Sequence, residues 1–173
     1  MNTLDMIIDE HGQKIYKYCY NMLRSKQEAE DAVQEIFIKA YKNIDQINEV
    51  TSVAAWLYKV AYNHCLNIIR KKKLLSFLPF NEDLKTGMTY LQPAVEKNVF
   101  SEELTNTISR LSPQDRSVLI LRVIEEKSYE EIAAIFNKQP DAVRKQYERA
   151  RKKIKGYLET EKGVRASEKI SIL

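Results

Sequence analysis

The sequence predicts an all-α protein with two small helical domains, an N-terminal helical bundle and a C-terminal helix-turn-helix four-helix domain joined by a linker. Apolar residues recur at the three- and four-residue spacing of helices through both halves of the 173-residue chain. No stretch sustains the alternation of apolar and polar residues that marks a strand. The chain has only four glycines and four prolines, too few for a fold built on many tight turns.

Three helices are predicted in the first half of the chain. The first carries apolar residues on one side over 4–22. The second begins at Ser25, whose hydroxyl caps the helix while the Glu28 side chain reaches back, the pattern of a capping box. The third begins near Thr51 or Ser52. Its apolar side is predicted to hold Val53, Trp56, Leu57, Val60, Ala61, His64 and Ile68.

The second half has shorter helices with clear start signals. Ser112 and Pro113 predict a cap and a proline at the first helical position. Ser128 and Glu131 predict a second capping box, and a long helix begins at Pro140 after a three-residue turn. A short helix, a turn and a second helix form a helix-turn-helix, whose second helix enters the major groove of DNA. The alternative is an ordinary helical hairpin with a basic outer face.

The division of the chain follows from its turn-forming residues. Pro79, Gly87 and Pro93 fall in a stretch without sustained helical periodicity, which indicates a linker. The expected organisation is a first domain over 1–75, a linker over 76–105, a second domain over 106–160 and a tail of unassigned role over 161–173.

Composition limits the classes of protein. The net charge is +4, and the scarcity of glycine argues against Gly-rich phosphate-binding loops. Cys19 and Cys65 are too few for a disulfide framework, which indicates reduced thiols. The first eleven residues carry acids where a signal peptide carries bases, and no apolar run is long enough to span a membrane. We therefore expect a cytoplasmic protein.

The two histidines do not indicate an enzyme. His11 and His64 both lie on apolar sides of predicted helices, and neither has a carboxylate one turn away on its own helix. We expect no catalytic residues, no cofactor, no metal and no small-molecule substrate. A catalytic helical protein is an alternative that would require an activity lost on mutating His64.

The last predicted helix has a strongly basic side. Residues 138–155 hold eight basic and two acidic side chains. Neutralising phosphates with such side chains supplies much of the affinity for DNA. We expect Arg144 and Lys145, in the first turn, to reach base edges, and residues from Arg149 onward to contact phosphates. The alternative is that this run is only a solvated helix face.

The third predicted helix is expected to display tyrosines and amides opposite its apolar side, followed by a basic run from Arg70 to Lys73. Aromatic side chains between amides and bases can stack unpaired nucleobases and hydrogen-bond their edges. The alternative is that the tyrosines pack inside the bundle. The residues of this expected face are Tyr58, Tyr62, Asn63, Leu66, Asn67 and Arg70.

The outer side of the second helix is acidic. Asp31, Gln34 and Glu35 lie within two turns of one another on that side. Negative charge repels DNA, so this surface favours a protein partner, the alternative being an ordinary solvated face.

Three segments resemble a known family. EAEDAVQEIFIKAY resembles the core-polymerase-binding helix of bacterial sigma-70-type factors, and AAWLYKVAYNHCLNIIRKKK resembles their promoter-melting helix. The segment from Leu111 to Ile154 resembles their C-terminal helix-turn-helix. The likeness runs in order over residues 10–158, and two domains alone are typical of the extracytoplasmic-function (ECF) class.

The resemblance implies a sigma factor that binds core RNA polymerase and directs it to promoters by melting the −10 element and reading the −35 element as duplex. It also implies an anti-sigma factor as a partner and a pocket for a flipped base around residues 45–52. Ala142 and Asp141 depart from the family pattern in the first turn of the last helix. The rival interpretation is a stand-alone helix-turn-helix regulator whose N-terminal bundle dimerises or senses a ligand.

The residues implied fall into three sets. Asp31, Gln34 and Glu35 match the polymerase-binding helix. The set for −10 DNA is Trp56, Asn63, Asn67, Arg70 and Lys71, to which the stacking argument adds Tyr58 and Tyr62. The set for −35 DNA is Arg144, Lys145, Arg149, Arg151 and Lys152.

Overall fold

A computed structural model describes residues 3–49, 52–77 and 102–162, and every regular element within these ranges is an α-helix. Most of the predicted linker and residues 163–173 of the predicted tail lie outside them. The helices are α1 (Thr3–Leu23), α2 (Lys26–Lys42), α3 (Ile44–Glu49), α4 (Val53–Ser76), α5 (Glu102–Ser109), α6 (Pro113–Val123), α7 (Tyr129–Phe136) and α8 (Pro140–Lys162).

The predicted helix starts are confirmed by their caps. The Ser52 hydroxyl accepts a hydrogen bond from the Ala55 backbone N–H at 3.1 Å, which fixes the start of α4. Ser112 caps α6 with Pro113 in its first turn. At Ser128 both halves of the predicted capping box are present, because its hydroxyl and the Glu131 carboxylate each take the other residue's backbone N–H.

The capping box predicted at Ser25 is only half formed. Its hydroxyl accepts from the Glu28 N–H at 3.4 Å, but the Glu28 carboxylate does not reach back. It accepts a hydrogen bond from Lys72 Nζ at 2.6 Å instead. The difference arises because α4 passes close to the start of α2 and offers a charged partner, which binds a carboxylate more strongly than a neutral N–H does.

Two short helices were not predicted by periodicity. α3 has six residues, fewer than two turns, so no apolar repeat can be seen in it. α5 begins at Glu102, inside the stretch expected to be linker, and buries Leu104 and Ile108. Two apolar residues one turn apart are too few to indicate a helix in a sequence.

The N-terminal half is built on α1, α2 and α4, which pack against one another. Alanines at Ala29, Ala32 and Ala40 give α2 a narrow buried side, so that its neighbours approach closely. The larger buried side chains of this half include Ile15, Tyr18, Met22, Ile36, Phe37, Ile47 and Leu57.

The C-terminal half is organised around α8, which packs against α5, α6 and α7. Asn137 ends α7 in the left-handed conformation with φ of 52°, and its N–H returns to carbonyls of the last turn. This tight end brings α8 back across α7, as a helix-turn-helix requires. The separate apolar cluster under α8 holds Leu104, Ile108, Leu111, Leu119, Ala150, Ile154 and Leu158.

The two halves are packed together through α6 on α1 and α7 on α4. The buried core of the N-terminal half continues without a break into side chains of α6 and α7 such as Ile120 and Ile132. Buried polar contacts also cross this boundary. Arg116 Nη1 donates to the Met22 carbonyl at 2.7 Å, and the hydroxyls of Tyr18 and Ser117 share a hydrogen bond of 2.5 Å.

Candidate nucleic-acid interface

The outer side of α8 carries a continuous basic stripe. Lys145, Arg149 and Lys152 are exposed at the i, i+4, i+7 spacing of one helix face. The stripe lies opposite the buried side chains of Val143 and Ala150. Within the described ranges no hydrogen bond or ion pair involves any of these three cations. Three uncompensated charges in a row suit the phosphate backbone of a duplex.

The other two residues of the predicted −35 set flank this stripe. Arg144 is exposed, pairs with Asp141 at 3.2 Å and lies 5.7 Å from the centre of the Tyr129 ring. Arg151 is half-buried against the Tyr147 ring at 5.7 Å. The structure therefore places Arg144 beside the outward-facing stripe, whereas it turns Arg151 towards the body of the domain.

The orientation of α8 is held by a polar network centred on Asp115. The Asp115 carboxylate accepts from Lys153 Nζ at 2.6 Å and from Gln146 Nε2 at 3.1 Å, and Gln146 Oε1 accepts from Lys138 Nζ at 3.0 Å. Burial favours a raised pKa for Asp115, but the hydrogen bonds from Lys153 and Gln146 outweigh burial and lower its pKa. The sequence alone does not reveal this network, because Gln146 and Lys153 lie 31 and 38 residues away from Asp115.

We expect Asp115→Asn to lower the stability of the C-terminal half by about 1 kcal/mol at neutral pH, since the Lys153 partner is half-exposed and its interaction is screened. The folded pKa is lowered, so the stabilisation is present above the ordinary carboxyl pKa and is lost as pH falls through the lowered pKa. Thermal unfolding of both proteins at neutral and acidic pH measures the effect. The difference in unfolding midpoint between the two proteins should disappear in acid.

The outer side of α4 carries amides and a base. Asn63, Asn67 and Arg70 are exposed at the i, i+4, i+7 spacing, and half-buried Trp56 lies two turns before Asn63 on the same side. Lys71 is exposed beside Arg70. This stripe offers amide groups for base edges, a ring for stacking and cations for phosphates.

The tyrosines expected on this face lie elsewhere, so their predicted placement is wrong. Tyr58 is 2% exposed, and its hydroxyl donates to Glu125 Oε2 at 2.6 Å. Tyr62 is half-buried, with its ring edge-on to Phe136 at 5.0 Å between centroids. The cause is that α4 is covered on two sides, by the N-terminal helices and by the C-terminal half. Tyr58 lies on the side of α4 that also buries Ala61 and Cys65, three and seven residues further on, whereas Tyr62 is covered by Phe136 of the C-terminal half.

The segment that the resemblance assigns to a flipped base is helical over much of its length. Residues 45–49 belong to α3, and Ser52 caps α4. Residues 50–51 lie outside the described part of the chain, so the base-binding role of this segment stays a prediction.

The acidic face of α2 is exposed as expected. Asp31, Gln34 and Glu35 share one side of the helix, and Ile38, 46% exposed, continues that side by another turn. The sequence analysis did not identify Ile38. Its position one turn beyond Gln34 and Glu35 could have indicated that it lies on the same exposed face. Tyr41 is exposed as well. An apolar residue bordered by acids and an amide suits a protein partner better than solvent.

Several ionisable groups that are buried or half-buried in the described ranges have shifted pKa values. Burial lowers the pKa of both His11 and His64. A hydrogen bond with Cys19, followed by burial, raises the pKa of the Cys65 thiol. Within the described ranges no three His, Cys, Asp or Glu side chains gather closely enough to hold a metal ion, and no helix is long and apolar enough to cross a membrane.

Comparison with known proteins decides the family. The model of Sigma-70 region 2 matches residues 7–74, and that of Sigma-70 region 4 matches residues 101–154. The ECF RNA polymerase sigma factor SigW of Bacillus subtilis is 36% identical over 162 residues, covering 88% of this chain and 87% of SigW. The chain belongs to the ECF class of the sigma-70 family. The sigma factor YlaC of the same organism is 32% identical to this sigma factor, covering 89% of this chain and 91% of YlaC.

Solved structures show the same fold for this sigma factor. The sigma factor RpoE of Bartonella quintana, solved with the anti-sigma factor NepR, has a TM-score of 0.69 at 20% identity, covering 91% of this chain and 98% of RpoE. CnrH, solved with the cytosolic domain of CnrY, has a TM-score of 0.67 at 20% identity, covering 91% and 88%. This ECF sigma factor is a transcription initiation factor that binds RNA polymerase and directs it to specific promoter DNA.

Proposed function

We propose that this sigma factor distributes its contacts over three helices, within functional units at residues 1–75 and 106–160. α2 binds core polymerase through Asp31, Gln34 and Glu35, α4 captures the melted −10 strand, and α8 reads the −35 duplex. The exposed stripe of Asn63, Asn67 and Arg70 carries the proposal, because amides and a cation on one helix face suit unpaired bases and their backbone. The buried side of the same helix anchors that stripe rigidly.

The two DNA readers act on different forms of DNA. Flipping a base out of the stack costs a few kcal/mol, so a melted strand stays open only where its bases are captured. Amides of Asn63 and Asn67 supply hydrogen bonds for base edges, and Trp56 supplies a stacking ring. The basic stripe of α8 suits an intact duplex, which needs no stacking surface. Tethering the two readers raises their effective concentration on one promoter.

We further propose that the sigma factor itself performs no catalysis and that it acts in the cytoplasm, where its polymerase and promoters are. The polymerase performs the chemistry of RNA synthesis. An anti-sigma factor is proposed as a regulatory partner. The support for that partner is that RpoE and CnrH were both solved in complexes, with the anti-sigma factor NepR and with the cytosolic domain of CnrY.

Arg149→Ala is expected to weaken holoenzyme binding to the −35 region by about three- to tenfold and to reduce the salt dependence by about one counterion. The reason is that exposed Arg149 lies in the middle of the basic stripe. Filter binding of a promoter fragment across a salt series measures both quantities. Lys155→Ala is the control, because Lys155 pairs with Glu159 at 3.9 Å further along the helix. If the salt dependence of binding is the same for Arg149→Ala and the unaltered chain, Arg149 does not contact DNA phosphates.

Run-off transcription from a pool of genomic promoter fragments tests the proposal as a whole. Transcripts should appear only when the purified chain and core polymerase are both present, and their start sites define the −35 and −10 sequences. Binding of the chain alone to a palindromic duplex, without polymerase-dependent transcripts, would support the stand-alone regulator instead.

A further inference from the structure

The C-terminal end of α4 exposes two large apolar side chains, which we call the apolar end. Leu74 is 66% exposed, and Phe77 is 74% exposed, more than any other large apolar side chain in the described part of the chain. They follow Arg70 by four and seven residues, so they continue the outward face that carries Asn63 and Asn67. Phe77 lies beyond the match to Sigma-70 region 2, which ends at residue 74. Strand capture by the two amides gives the apolar end no role.

The charges around the apolar end favour nucleic acid as its partner. Arg70, Lys71 and Lys73 are exposed within two turns of Phe77. Within the described ranges no side-chain hydrogen bond or ion pair involves these three cations, whereas Lys72 pairs with Glu28 at 2.6 Å. Free cations suit the phosphates of DNA. Phenylalanine and leucine beside such cations are the side chains that DNA-bending proteins insert as apolar wedges between base steps.

The connection between the two halves indicates which edge of the melted region the apolar end faces. Elements numbered −35 and −10 are about 25 base pairs apart, or about 85 Å of duplex. The 24 residues between Phe77 and Glu102 span at most about 80–90 Å when extended. α4 itself has 24 residues and is about 36 Å long, a distance that the connection would have to cover again if the helix pointed the other way. The most direct arrangement therefore places the apolar end on the −35 side of the captured strand.

We propose that Leu74 and Phe77 form an apolar wedge at the upstream fork of the promoter, where the duplex ends and the melted −10 strand begins. The Phe77 ring stacks on the last intact base pair and replaces the neighbour that this pair loses on melting. Phe77 lies ten residues after Asn67, about 15 Å along the helix, or the length of four to five stacked nucleotides. The fork contact and strand capture therefore occupy different parts of one face. This inference rests on the proposed role of α4 in strand capture.

Phe77→Ala tests the wedge in the holoenzyme with two labelled DNA probes. The first is a fork, a duplex that contains the −35 element and continues as a single-stranded −10 overhang. The second is the single-stranded −10 oligonucleotide alone, which offers no base pair to the ring. The start sites from run-off transcription supply both sequences, and fluorescence anisotropy measures both affinities. Met6→Ala, which removes an exposed apolar side chain from α1, is the control.

Phe77→Ala should weaken binding of the fork about tenfold and change binding of the single strand less than twofold, because the lost stacking partner is a base pair. Phe77→Trp should bind the fork at least as tightly as the unaltered chain, since it keeps an aromatic ring. Met6→Ala should bind both probes normally. The fold should survive these changes, because Phe77 is exposed and its backbone N–H, which donates to the Leu74 carbonyl at 3.2 Å, is retained.

Unchanged fork binding by Phe77→Ala, equal losses on both probes, or an equal loss in Phe77→Trp would overturn the wedge. Asn63→Ala separates this result from the proposed function, because its amide should contribute to binding of both probes. If Asn63→Ala weakens both probes and Phe77→Ala weakens neither, strand capture stands and the wedge is wrong. If only Phe77→Ala weakens binding, and only to the fork, the wedge stands and strand capture through Asn63 is wrong.

Discussion

Glu35→Lys is expected to abolish transcription by preventing the sigma factor from joining core polymerase. Glu35 is exposed in the middle of the α2 face that also presents Asp31 and Gln34. An acidic face implies a basic partner, and reversing one charge replaces an attraction with a repulsion. Such a change costs about 2–4 kcal/mol in a protein interface, equivalent to a 30-fold or greater loss of affinity. Co-purification with tagged core polymerase and run-off transcription measure the loss.

The fold should survive the Glu35→Lys substitution because the side chain lies outside the core. A thermal unfolding midpoint within a few degrees of the unaltered chain is therefore the condition for interpreting the experiment. Glu126→Lys carries the same charge change to the turn before α7 and should co-purify normally. Undiminished co-purification of Glu35→Lys would show that α2 does not contact the polymerase through this residue.

Asn63→Ala is expected to impair promoter melting while leaving polymerase binding intact. The Asn63 amide lies at the centre of the outward stripe of α4, between Trp56 and Asn67. Losing hydrogen bonds to a captured base should reduce the open fraction about tenfold, the equivalent of about 1.4 kcal/mol. Permanganate reactivity of thymines in the −10 element measures the open fraction. Alanine favours a helix more than asparagine does, so a loss of activity cannot come from a weaker helix.

Asn106→Ala provides the matched control for Asn63→Ala, because it makes the same chemical change at an exposed position of α5. If the Asn63→Ala protein gives the same permanganate reactivity as the unaltered chain, Asn63 does not take part in capturing the melted strand. Tyr62→Ala is also expected to impair melting, but it is less selective. Removing that ring deletes both a stacking group and the contact with Phe136 that holds the halves together.

Local chemistry made the helix boundaries predictable from the sequence. Ser52, Ser112 and Ser128 cap their helices through residues three positions away, so the whole interaction lies inside one short segment. The basic stripe of α8 was predictable for the same reason, since exposed and buried positions repeat with the helix period. Asp31, Gln34 and Glu35 were placed correctly on an exposed face by the same argument.

Contacts between distant parts of the chain account for what the sequence could not predict. Tyr58 meets Glu125 across 67 residues, and the Asp115 network joins side chains 31 and 38 residues apart. Helical periodicity describes one helix at a time, so it cannot show that α4 is covered by a second domain. The prediction of a complete capping box at Ser25 was wrong for the same reason. Glu28 binds Lys72, which lies 44 residues further along the sequence in another helix.

The contact between Tyr18 and Ser117, 99 residues apart, sets an order of events during synthesis. A ribosome adding about 5–20 residues per second needs about 5–20 s to pass from one to the other. During that interval the N-terminal half emerges with the Tyr18, Met22 and Tyr58 surfaces uncovered, because the helices that cover them have yet to be made. Each new molecule therefore exposes the side chains of Tyr18, Met22 and Tyr58 first. It buries them against the C-terminal half only after α6 and α7 have been synthesised.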